Sequence, residues 1–111
     1  MKIGIASDHA GVAAKAALAG LLRELHHDVA DFGPSTADAV DYPDYAGKVA
    51  RAVSAGECER GVLICGTGIG MSIAANKVKG MRAAVCRTEL EARMSRANND
   101  ANVLCLGQRI T

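Results

Sequence analysis

Aromatic residues are scarce in this chain of 111: Phe32, Tyr42 and Tyr45 make up 3%, and there is no Trp. Stacking platforms for nucleobases, which need exposed rings, are all but excluded. No apolar run approaches the roughly 20 residues of a membrane span. Residues 1–9, Met-Lys-Ile-Gly-Ile-Ala-Ser-Asp-His, lack the longer apolar stretch and small-residue cleavage site of a signal peptide. An excess of one charge is missing too. Thirteen Lys and Arg, scattered along the chain, face twelve Asp and Glu for a net +1, which argues against nucleic acid and anionic membrane as partners. Cys58, Cys65, Cys86 and Cys105 contain no C-x-x-C pair and no neighbouring His, so a zinc site is disfavoured. The expectation is a cytoplasmic protein with reduced thiols and no bound metal or cofactor.

What the chain does have is apolar residues, 50% of the total, enough for the core of one domain. Short apolar runs alternate with segments of helical period. Strands are expected at 2–6, 29–32, 61–65, 81–86 and 103–106, and helices at 12–26, 42–54, 71–78 and 89–97. The wholly apolar Gly61-Val62-Leu63-Ile64-Cys65 reads as a central strand covered on both faces. Five strands alternating with helices predict an α/β fold, a Rossmann-like α/β/α sandwich around a five-stranded parallel sheet. Ligands of such sheets bind outside the carboxyl ends of the strands. That directs attention to Ser7-Asp8-His9, Cys65 to Gly70, and Gly107-Gln108-Arg109; Asn98-Asn99-Asp100 lies on the approach to strand five.

Gly66-Thr67-Gly68-Ile69-Gly70 follows a buried strand and opens a helix, where backbone N–H groups can form a nest for an anion. Its G-x-G-x-G spacing is not the dinucleotide fingerprint, and it has no Walker lysine. Cys65 immediately precedes it. A helix N-terminus favours the thiolate and burial favours the thiol, so on its residue type Cys65 is either a nucleophile or base, or a core residue. Asp8 is a substrate ligand or a helix cap, and His9 a proton shuttle or phosphate contact. Asn98-Asn99-Asp100 is a ligand group or a helix stop, and Arg109 a phosphate clamp or a plain surface residue.

Four blocks, in order and covering the whole chain, resemble the type B ribose-5-phosphate isomerases and the related galactose-6-phosphate isomerase subunits. They are Ser7-Asp8-His9-Ala10-Gly11, Asp41-Tyr42-Pro43-Asp44-Tyr45-Ala46, residues 65–77 (CGTGIGMSIAANK), and Asn99-Asp100-Ala101-Asn102-Val103-Leu104. The resemblance implies a metal-free aldose–ketose isomerase interconverting ribose 5-phosphate and ribulose 5-phosphate through an enediolate. Isomerases of another sugar or sugar phosphate, such as allose 6-phosphate or galactose 6-phosphate, and a weak sugar-phosphate binder are the alternatives.

By the same resemblance Cys65 is the base, because a second branch carries Glu at the position of Met71. Thr67 bonds near the thiol or substrate, and the amides of Gly66, Thr67, Gly68, Ile69 and Gly70 form the anion hole. Asp8 holds sugar hydroxyls, Tyr42 lines the pocket, Asn99 contacts a substrate oxygen, and His9 and Arg109 meet the phosphate. Asn98 stands where the family usually has the His assigned to ring opening; Asn can bond the ring oxygen but cannot relay a proton. The family association also implies a homodimer or dimer of dimers, with each site shared between subunits. Residues 1–111 are expected to form a single isomerase domain without the family's C-terminal helical extension.

Overall fold

The computed structural model describes residues 1–35 and 42–110, and of Tyr42 the backbone only. Strands β1 (Lys2–Ser7), β2 (Asp28–Asp31), β3 (Arg60–Cys65), β4 (Ala83–Val85) and β5 (Val103–Gly107) alternate with helices α1 (Val12–Glu24), α2 (Tyr42–Ser54), α3 (Ile69–Asn76) and α4 (Glu89–Asn99). A 3-10 turn, His9–Gly11, leads into α1. All four strand pairings are parallel, in the order β2-β1-β3-β5-β4. The predicted five-stranded parallel α/β sandwich is therefore present, with β3, apolar from Gly61 to Cys65, at its centre.

Parallel crossovers are right-handed. From β1 the chain steps outward to β2, then returns past β1 to β3, so α1 and α2 fall on opposite faces. Packing agrees. Ala46, Val49 and Ala50 of α2 and Met71 and Ala75 of α3 close over Ala6, Leu63, Cys65, Val103 and Cys105. On the other face Ala14, Leu18 and Ala19 of α1 cover Ile5, Ile64, Val29, Val62 and Leu106. Helix α4 contributes no buried residue.

The elements differ from the sequence expectation mainly at their ends. Helix α1 stops at Glu24, because His26 adopts a left-handed φ of 69°. Helix α3 starts two residues early, inside the glycine turn, because Gly68 at φ 81° caps it. Strand β4 is three residues rather than six: ahead of it the Arg82 N–H is taken by Asn102 Oδ1 at 2.9 Å. Helix α4 runs on through Asn98 and Asn99 to the left-handed Asp100 at φ 51°.

Candidate active site

Strand β3 delivers Cys65 to the carboxyl edge, where it is 6% exposed. The chain then turns through Gly66–Gly68 into α3. At Gly68 the positive φ excludes most side chains, and its N–H turns back onto Cys65 Sγ at 3.0 Å. A donor aimed at sulfur from a helix start stabilises negative charge there. The turn is braced from β5. Gln108 N–H donates to the Cys65 carbonyl at 2.8 Å and Arg109 N–H to the Gly66 carbonyl at 3.0 Å. Gly107 lies so close beneath Thr67 that a Cβ there would sit 2.6 to 2.7 Å from its backbone.

From β1 come Asp8 and His9. Asp8 Oδ1 accepts the N–H groups of Ala10 and Gly11 at 2.9 and 3.0 Å, so the cap reading is realised, yet Asp8 still lines the cleft. That cleft, about 300 Å³, is bounded by Asp8, His9, Ala10, Cys65, Gly66, Thr67, Gly70 and Arg109. The Arg109 side chain lies across Gly66, whose added Cβ would be 3.6 Å from Cδ and Nε. One edge of the cleft is thus cationic, one side acidic, and the floor carries a thiol and amides.

Several expected roles are redistributed. Two amides of the proposed anion hole are engaged inside the turn: Gly68 N–H on Cys65 and Ile69 N–H on Thr67 Oγ1 at 3.2 Å. Gly70, in the first turn of α3, retains the orphan N–H typical of a helix start. The Ile69 side chain is 53% exposed and does not line the cleft. Met71 is fully buried in the cluster that contains Cys65, so this chain has no acid where the second branch carries one. The Tyr42 side chain lies outside the described residues.

Asn98 and Asn99 are not brought to Cys65. They end α4, which leads directly into β5 at its amino end. Register pairs Val103 with Gly61 and Gly107 with Cys65, four residues apart, or about 13 Å along the sheet. The two asparagines therefore stand at the opposite edge of the sheet from the cleft.

Burial acts on two further thiols. Cys105, fully buried, is pushed up to about 12 by burial first and by the neighbouring sulfurs of Cys65 and Cys86, so it stays protonated at neutral pH. Burial also raises Cys58. Among the described residues no three His, Cys, Asp or Glu side chains converge as metal ligands, and no helix is long and apolar enough to cross a membrane.

One residue escaped the sequence reading. Lys15 is 3% exposed on α1, and its Nζ donates to Asp31 Oδ1 at 2.7 Å, Asp31 Oδ2 at 3.0 Å and the Pro34 carbonyl at 2.7 Å. Asp31 Oδ1 also accepts Gly33 N–H at 2.8 Å, and the Gly33 carbonyl accepts Ser7 N–H at 3.2 Å. The turn after β2 is thereby tied to the end of β1. The available signal was positional: Lys15 lies four residues before Ala19 on the buried stripe.

Comparison with known proteins follows the same lines. The family model described as Ribose/Galactose Isomerase matches residues 3–111. Ribose-5-phosphate isomerase B of Escherichia coli (strain K12) is 47% identical over 109 residues, covering 98% of this chain and 73% of the relative. The structure of ribose-5-phosphate isomerase B from Clostridium thermocellum superposes with a TM-score of 0.99 at 57% identity, over 100% of this chain and 75% of that one. That of Mycoplasma genitalium ribose-5-phosphate isomerase B with bound ribulose-5-phosphate gives 0.94 at 45% identity, over 99% and 74%. The chain belongs to the ribose/galactose isomerase family and is an isomerase enzyme.

Proposed function

We propose that this isomerase interconverts ribose 5-phosphate and ribulose 5-phosphate, with Cys65 as the base. The observation that carries the reading is the Gly68 N–H on Cys65 Sγ, at the floor of a cleft flanked by Asp8 and Arg109. In the aldose-to-ketose direction the Cys65 thiolate takes the proton from C2 of the open-chain sugar. The C2 electrons form the C1–C2 double bond of the enediolate, and the carbonyl π electrons move to O1 as charge. The thiol then returns its proton to C1 while the C2 hydroxyl proton passes to O1, leaving a C2 carbonyl and a C1 hydroxyl, the ketose. The orphan amide of Gly70 is placed to stabilise the developing oxyanion, and Thr67 bonds beside the thiol or substrate. Asp8 accepts from sugar hydroxyls, and Arg109 with His9 holds the phosphate. The relative from Mycoplasma genitalium, which has ribulose-5-phosphate bound, supports this substrate class.

The active unit on this reading is a homodimer, alone or paired into a dimer of dimers, with each site shared. Its support is the placement of Asn98 and Asn99 at the amino edge, out of reach of the cleft of their own chain. Four free cysteines suit the cytoplasm. A second substrate, another sugar phosphate such as galactose 6-phosphate or allose 6-phosphate, is favoured by one observation, the Asn at position 98.

Proton exchange at C2 of ribose 5-phosphate in deuterated water, followed by NMR, is the direct test. Exchange and net isomerisation are expected for the intact chain, and loss of both in Cys65→Ala. Exchange that survives in Cys65→Ala removes Cys65 as the base. Binding without any exchange by the intact chain would leave a sugar-phosphate binder.

A further inference from the structure

Helix α4 poses a physical problem. It contributes no buried residue, and its Leu90 and Met94 are 66% and 44% exposed. A helix packed this lightly is expected to fray at its end. Instead that end is clamped. Arg82 Nε donates to the Asn99 carbonyl at 2.6 Å, and Arg82 N–H to Asn102 Oδ1 at 2.9 Å. Asn102 returns its own N–H to the Arg82 carbonyl at 3.0 Å, and its Nδ2 donates to the Gly80 carbonyl at 3.1 Å. Ordering so many exposed groups costs conformational entropy that no buried apolar contact of α4 offsets. The result is a fixed platform bearing Asn98 and Asn99, both exposed and with side chains unpartnered among the described residues.

We propose that Arg82 is a positioning residue for the isomerase reaction, holding the end of α4 so that Asn98 and Asn99 reach the cleft of a second copy. This rests on the shared-site reading above. Arg82 anchors the backbone carbonyl of Asn99 itself, so its loss frees the residue that would touch substrate while leaving the chain's own Cys65, Asp8 and Arg109 at the far edge undisturbed.

That asymmetry sets the test, run on full-length chains co-expressed in equal amounts. Arg82→Met alone is expected to lower kcat by up to about 100-fold, the effect of an ångström-scale misplacement, with KM nearly unchanged. Co-expressed with Cys65→Ala, it should recover about a quarter of wild-type activity, because one site in four then draws Cys65 and Arg82 from intact sources. A chain merely unfolded by the substitution could not supply a working Cys65 and would show no recovery. Arg82→Gln, which keeps an N–H donor on a shorter stem, carries the same expectation with a smaller kcat loss should Arg82→Met fail to fold. The control pair is Cys65→Ala with Asn99→Ala. Recovery in the control but not with the Arg82 variants overturns the role of Arg82. No recovery in the control overturns the shared site and the Arg82 role with it. Unchanged kcat in Arg82→Met also refutes the proposal.

Discussion

Gly107→Ala is a one-carbon change that puts the braced turn under load. The new Cβ would lie 2.6 Å from the Thr67 carbonyl carbon, 2.7 Å from its Cα and 2.7 Å from its oxygen. All three are backbone atoms, so no side chain can swing aside. To restore an ordinary separation of about 3.4 Å, Thr67 must rise by roughly 0.8 Å or β5 must sink by as much, at the 1–3 kcal/mol typical of overpacking. Either movement parts the turn from Cys65. The Gly68 N–H, now 3.0 Å from Sγ, and the Arg109 N–H on the Gly66 carbonyl are both carried by the strained segment. A displacement of this size at the base predicts a kcat loss of about 100-fold. Steady-state isomerase assays beside urea unfolding would measure both effects. Gly20→Ala is the matched control: nothing lies within 4 Å of its added Cβ, and helix propensity predicts a gain of about 0.5–1 kcal/mol with full activity. If Gly107→Ala keeps wild-type kcat and stability, the turn is not braced from β5 as described.

Lys15→Met should cost about 1.5–3 kcal/mol in denaturant unfolding, the range for lost hydrogen bonds to a charged group, because Asp31 at 37% exposure regains water; a loss under about 1 kcal/mol would show that the tie is idle. The Cys105 thiol, raised from near 9 to about 12, keeps its proton in the folded state after the unfolded chain has lost it. Stability should therefore fall as pH rises from 9 towards 12, by about 1.4 kcal/mol per unit, and Cys105→Ala should flatten that slope in pH-dependent unfolding. An unchanged slope refutes the assignment. Asn98→His should raise turnover of cyclic ribose 5-phosphate while leaving the open-chain rate alone; stopped-flow measurement showing no gain on the cyclic sugar would count against a ring-opening role at this position.

The sheet was legible because its central strand is apolar from Gly61 to Cys65 and its helices keep period 3.6, both local patterns. The Cys65 turn was legible because three glycines cannot be hidden in a strand-to-helix junction. Helix ends were less so. Asn98 and Asn99 look like a stop signal, but the chain continues helical until Asp100, where a left-handed residue is stabilised by Arg96 Nη1 on its carboxylate at 3.0 Å. Lys15 was invisible as a buried group because its partners, Asp31 and Pro34, are 16 and 19 positions away. Which edge of the sheet receives Asn99 depends on how β5 pairs, and pairing between distant strands leaves no local trace.

The strand order also governs when the braced turn can first form. Strand β5 is the last of the five to be made but lies between β3 and β4, and among the described residues β4 pairs with nothing else. Until residues 103–107 leave the ribosome, β3 has an open edge and β4 has no sheet to join. A nascent chain of 102 residues contains Cys65 and Asp8 but has neither the Gly107 floor nor the Gln108 and Arg109 amides that brace the turn. Such long-range closure is slow relative to local helix formation. Closure of the sheet and bracing of the turn therefore arrive together in one late step, and until then the chain holds an exposed strand edge in need of shielding.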